Sequence, residues 1–106
     1  GINCMFPVEF GTWGGDPVRF RREYGRDLLL IGGFDKHILA QGRREIEQEV
    51  IRLAPLVEEG GYIGCCDHRV PPDVPLSNYL YYLETVRRVW CGDLNLKPIP
   101  ALQDPR

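Results

Sequence analysis

Long apolar runs, an excess of one charge and paired metal-binding cysteines are all missing from this sequence of 106 residues. No apolar stretch approaches the roughly 20 residues that a membrane-spanning helix needs, and the first residues lack the charged region, apolar core and cleavage site of a signal peptide. A cytoplasmic location is the resulting expectation, with no membrane partner. Thirteen Lys and Arg against fifteen Asp and Glu, mixed along the chain, leave a net charge of -2. That balance offers no electrostatic footprint for nucleic acid, and the segments RFRREYGR and GRREIEQEVIR read as solvated helix faces. The four cysteines, at positions 4, 65, 66 and 91, form no CxxC pair and no regular framework, so reduced thiols are expected. With no repeats and no low-complexity tract, and with 43% hydrophobic and 26% charged residues, the composition is that of one soluble globular unit.

Three apolar runs have the character of strands: INCMFPV at 2–8, LLLIGG at 28–33 and GYIGCC at 61–66. Each is followed by helical sequence. After the first comes a Gly-rich loop, GTWGGDP, in which Asp16 can cap and Pro17 can open the helix PVRFRREY, with Gly25 as its stop. After the second, Asp35 can cap a short turn KHILA ended by Gly42, and RREIEQEVIRLAPLVEE then carries Ile46, Val50, Leu53 and Val57 at helical spacing. Pro55 is expected to kink or divide this helix, and Gly60-Gly61 to end it. After the third, Ser77 is a suitable cap for NYLYYLETVRRVW, where Leu80, Leu83, Val86 and Trp90 share a face. Residues 91–106, with Pro98, Pro100 and Pro105, are expected to form an extended tail to a βα domain spanning 1–90.

Strands that alternate with helices and are apolar at successive positions imply parallel pairing through helical crossovers, so the fold class is α/β. A closed βα barrel takes about 250 residues and eight units, whereas three units are present here. Three units form a piece of such a barrel, with an unpaired strand edge on each side and an apolar interior to be covered. Gly1 in place of an initiator Met fits a piece of something longer. The expectation is therefore either a domain fragment or a homo-oligomer that completes its sheet with copies of itself.

In parallel βα architectures, chemistry gathers where strands end and helices have not yet begun. Glu9 follows the first strand, Asp35 the second, and Asp67, His68 and Arg69 the third. His68 can act as general acid or base, or donate to a substrate carboxylate, because an imidazole titrates near neutrality; its alternative is to tie down the proline-rich loop. Arg69 can grip a carboxylate or phosphate bidentately, or pair with Asp67 or Asp73. Asp35 can contact ligand or simply cap the turn that follows, and Glu9 can serve as a base or ligand. His37 is expected on the surface. Cys66 and His68, two apart, supply two candidate zinc ligands, and Cys4 or Glu9 would have to complete the set; as free thiols, Cys65 and Cys4 are small buried apolar residues. Cys65 is expected to face away from Cys66. Pro71, Pro72 and Pro75 stiffen the loop that carries His68 and Arg69.

Two of these segments carry a family resemblance. YGRDLLLIGGFDKHIL and EEGGYIGCCDHRVPPDVPLSNYLYYLETV, and less specifically GINCMFPVEF, resemble the C-terminal portion of the uroporphyrinogen decarboxylase superfamily, which also includes corrinoid-dependent methyltransferases. The resemblance covers residues 1 to 90 and implies the last three units of a (βα)8 TIM-type barrel. It implies that His68 occupies the position of a histidine lining the cleft for a carboxylated tetrapyrrole or related substrate, in a decarboxylase of porphyrin biosynthesis that uses no cofactor and no metal. Arg69, Asp35 and Glu9 would then line the rim as substrate-binding groups. The main decarboxylation machinery of that family lies in N-terminal units that this chain does not contain, so the chain alone is not expected to be active. A zinc-using methyltransferase fragment, with a cysteine ligand at the His68 position, and a non-enzymatic, self-associating barrel fragment are the alternatives.

Overall fold

The computed structural model describes residues 3–10 and 14–92; the tail expected beyond Gly92 lies outside the described residues. Strand β1 (Cys4–Val8) leads to helix α1 (Pro17–Tyr24), β2 (Leu29–Phe34) to a short helix α2 (Lys36–Leu39) and a long helix α3 (Arg43–Glu59), and β3 (Tyr62–Cys66) to α4 (Leu76–Val89). The three strands form one sheet in the order β1-β2-β3, and both pairings are parallel. This is an α/β fold with helical crossovers, as the alternation in the sequence requires.

Local chemistry sets most of the boundaries. Asp16 accepts a hydrogen bond from the Val18 N–H at 3.0 Å, Pro17 occupies the first helical position, and Gly25 at φ 61° closes α1. Gly42 precedes α3 and Gly60 at φ 85° ends it. Two expectations need correction. Pro55 does not divide α3, which runs unbroken from Arg43 to Glu59. Proline cannot donate to the Ile51 carbonyl, but both residues lie on the exposed face, where water can take that place. Ser77 does not cap α4: the helix begins at Leu76, with Pro75 in the cap position and Ser77 already in the first turn.

Both buried clusters of the described residues lie on one side of the sheet. Val8, Leu30 and Phe20 form one buried cluster under α1, and Phe34, Leu39, Ile46, Val50, Leu53, Leu56 and Tyr82 form the other under α3 and α4. The buried stripe of α4 is not centred where its aliphatic spacing puts it. Tyr82 and Thr85 are its buried residues, with Leu83, Val86 and Trp90 flanking them half-buried. The Tyr82 ring packs 4.5 Å from that of Phe34, and an aromatic ring covers more area than the leucine that a hydropathy count prefers. Trp90 lies over Gly64 in the edge strand and donates from Nε1 to the Val50 carbonyl at 2.8 Å, so the end of α4 is fixed to both α3 and β3.

Strand alternation turns Cys4, Leu29, Ile31, Ile63 and Cys65 to the other face, and a register shift in β1 between Met5 and Val8 leaves Phe6 exposed there while Val8 packs with Leu30. None is charged, and no described helix covers them; Phe6 is 69% and Ile63 63% exposed. Among the described residues, no helix is long and apolar enough to cross a membrane.

Gly64 tests the packing directly. A Cβ there would lie 2.3 Å from Trp90 Cζ3 and 2.7 Å from Cη2. Gly64→Ala should therefore destabilise the fold by about 1–3 kcal/mol, the usual cost of overpacking, seen as a lower urea midpoint with quenched or shifted tryptophan emission.

Candidate functional site

Because the strands are parallel and adjacent, their C-terminal ends come together at one edge of the sheet, and each is followed by a polar residue. The centre is Asp67, fully buried after β3. Its Oδ2 accepts from the Phe10 N–H just beyond β1, and its Oδ1 from the Lys36 N–H just beyond β2, both at 3.0 Å. Its own N–H donates to the Phe34 carbonyl at 2.8 Å. One carboxylate thus joins three chain segments that are far apart in sequence. A buried carboxylate is tolerated only with such donors and a nearby cation. The Lys36 ammonium supplies the cation: Nζ lies 3.9 Å from Asp67 Oδ2 and 3.8 Å from Glu9 Oε1. The Lys36 and Glu9 side chains are 16% and 19% exposed, half-sunk in the mouth rather than free in solvent.

Of the residues expected from sequence, Glu9 stands in this cluster. Asp35 works as a cap: its Oδ1 accepts from the His37 N–H at 2.9 Å and lies 3.0 Å from His37 Nδ1. His37 is on the surface, as expected. His68 and Arg69 are exposed on the loop after β3 and make no hydrogen bond or ion pair with any described residue. The alternative pairing of Arg69 with Asp67 or Asp73 is therefore not formed, and Asp67 is already engaged by two amides. Glu9, Lys36 and Asp67 are brought together at the strand ends, and His68 and Arg69 follow on the exposed loop. Lys36 was not among the residues expected. It could have been found by the rule that selected Asp35, since it directly follows that residue at the end of the middle strand.

The adjacent cysteines separate as strand geometry requires. Cys66 packs against the helix-side core, and Cys65 faces the bare side. Burial, with neighbouring Cys65 and the Asp67 carboxylate, pushes the Cys66 thiol from 9.0 up to about 11, although a hydrogen bond with Tyr82 pulls the other way. Burial, followed by Asp67, also raises the Cys65 thiol. Zinc and nucleophilic chemistry both use the thiolate, and both sites favour the protonated thiol. Among the described residues, no three His, Cys, Asp or Glu side chains are grouped to hold a metal ion.

No family model matches the chain, and neither a curated protein nor a solved structure matches it.

Two measurements check this geometry. Asp67→Ala leaves two backbone N–H groups without their acceptor and takes away the anion paired with the Lys36 ammonium, and should cost about 3 kcal/mol in denaturant unfolding. In Asp67→Asn the side-chain oxygen still meets one of the two amides, so the loss should be smaller. At pH 8 a thiol titrating at about 11 is ionised in about one molecule in a thousand, so iodoacetamide should label exposed Cys91 long before Cys66. The sign for stability follows: the unfolded thiol ionises from 9.0 upward while the folded one keeps its proton to about 11, so this contribution is present below pH 9 and lost as pH rises through 11.

Proposed function

We propose that this chain is three consecutive βα units of a barrel enzyme of the uroporphyrinogen-decarboxylase-like type, whose strand-end mouth takes a carboxylated small molecule. The observation that carries the reading is the placement of the described helices on one face of an unreversed β1-β2-β3 parallel sheet, with the other face apolar and covered by none of them. A doubly wound sheet reverses its strand order and is covered on both faces; a barrel keeps its helices outside and packs the opposite face into its interior. Polar residues cluster at the strand ends, the usual place for chemistry in such folds. In this reading His68 is the general acid or donor to a substrate carboxylate, Arg69 offers a bidentate grip, and Glu9 and Asp35 are further substrate-binding groups at the strand ends. The reaction of the parent enzyme is decarboxylation of a tetrapyrrole or related polycarboxylate without a cofactor, and the chain alone lacks the rest of the machinery.

Self-association is the second reading, favoured by the same apolar face and by outer edges of β1 and β3 that no described strand pairs. Three strands about 4.8 Å apart and about 17 Å long present a face of roughly 250 Å², well below the roughly 800 Å² per partner of a stable interface. A dimer would therefore need the strand edges as well as the face.

Titration of uroporphyrin, followed by its absorbance, tests the first reading: His68→Ala and Arg69→Ala should each weaken binding about tenfold without changing the unfolding midpoint. Equal affinity in all three proteins would remove both residues from the site. Sedimentation tests the second reading: the wild type should form dimers or larger species that Ile63→Glu dissociates, and a wild type that stays monomeric at high concentration would end it.

A further inference from the structure

We infer that the cleft between α1 and α3 binds a small amphipathic anion, a phosphate carried on an apolar body. The inference is independent of the reading of the strand ends, with whose polar residues the cleft shares no lining.

The cleft has a volume of about 460 Å³, within the roughly 300–1,000 Å³ of small-molecule sites. Part of its wall is apolar, formed by Val18 of α1 and by Pro55 and Leu56 of α3. The rest is cationic. Arg21 and Arg22 at the end of α1 line it together with Arg26 in the turn that follows, and Arg52 lines it from α3. Among the described residues, Glu59 is the one carboxylate on the wall.

These cations differ in how far they are committed. Arg52 is held by Glu49 and Asp16. Buried Arg21 donates to Glu59 at 2.9 Å and to the Gly60 carbonyl at 2.8 Å, while its Nε is a buried donor with no acceptor among the described residues. Arg22 and Arg26 are exposed and pair with no described residue. The turn after α3 gathers two of the guanidinium groups: a Cβ at Gly60 would lie 3.3 Å from Arg26 Nη2, and one at Gly61 would lie 3.3 Å from Arg21 Nη2. Both groups therefore rest against one short piece of backbone. Two helices also end here, and the caps take up part of their carbonyl charge, with the Gly25 N–H donating to the Arg21 carbonyl and the Gly60 N–H to that of Leu56.

With Arg52 set aside beside its own carboxylates, Arg21, Arg22 and Arg26 face Glu59 alone, a surplus of two positive charges on the wall. That surplus matches a phosphate dianion, whose oxygens accept paired N–H bonds from guanidinium forks. The apolar wall beside the arginines adds contact for the body that carries the phosphate, which inorganic phosphate cannot use.

Phenyl phosphate is the probe, titrated into the isotope-labelled full chain and followed by its amide resonances. Those of Val18, Gly25 and Leu56 should shift together and saturate, with an affinity several-fold above that for inorganic phosphate. Arg22→Gln and Arg26→Gln should each weaken binding about tenfold while the unfolding midpoint stays unchanged. Arg44→Gln, which removes the same charge from an exposed position outside the cleft, should leave the affinity as it is. The inference is overturned by the absence of saturable shifts, by shifts centred elsewhere, or by equal affinity for inorganic phosphate. It is overturned equally if Arg44→Gln weakens binding as much as the cleft variants do.

Discussion

The carboxylate of Asp67 is the point on which the arrangement of strand ends depends. It is buried completely, and what makes that burial tolerable is that each oxygen meets a backbone amide from a different strand end while a lysine ammonium lies within Coulombic reach. The backbone ladder fixes how the strands run alongside one another. Past the last ladder bonds, this side chain joins the chain segments that leave β1, β2 and β3, with the Lys36–Glu9 ion pair beside it. The polar cluster at the strand ends is therefore centred on one residue in a loop, with Glu9 and Lys36 beside it.

The helices show the complementary constraint. With strand order unreversed, successive crossovers of one hand fall on the same side, so the described helices all add to one layer. The covered side is closely fitted: Trp90 needs the absence of a side chain at Gly64, and a Cβ at Gly33, which also has φ 85°, would lie 2.5 Å from Pro17 Cγ. The bare side has no such fitting among the described residues. A sheet so well packed on one face and so apolar on the other has its stability and its solubility set by different surfaces.

Much of this was legible in the sequence because it follows from local rules. The three strands are placed to within a residue or two, and the caps at Asp16 and Asp35 and the stops at Gly25 and Gly60 each depend on chemistry within a few residues. Pro55 and Ser77 misled for the opposite reason. Whether a proline breaks a helix depends on whether water can reach the carbonyl it leaves unbonded, and whether a serine caps depends on where tertiary packing starts the helix. In the candidate site, position along the strands was enough to find Glu9 and to bring Asp67, His68 and Arg69 into view. It was not enough to separate the buried Asp67 from the exposed His68 and Arg69. That distinction rests on contacts such as Phe10 to Asp67, 57 residues apart, for which the sequence has no local sign.

The polar contacts between units have a consequence for how such a chain could arise or be rearranged. Arg21 in α1 donates to Glu59 and to the Gly60 carbonyl at the end of α3; Arg52 in α3 reaches back to the Asp16 that caps α1; Asn78 in α4 donates to the Leu39 carbonyl of α2. Each βα unit thus completes hydrogen bonds that belong to its neighbour. Units built this way are not interchangeable modules: duplicating, deleting or shuffling one leaves unmet polar groups in the next, and the sheet is heritable only as a set.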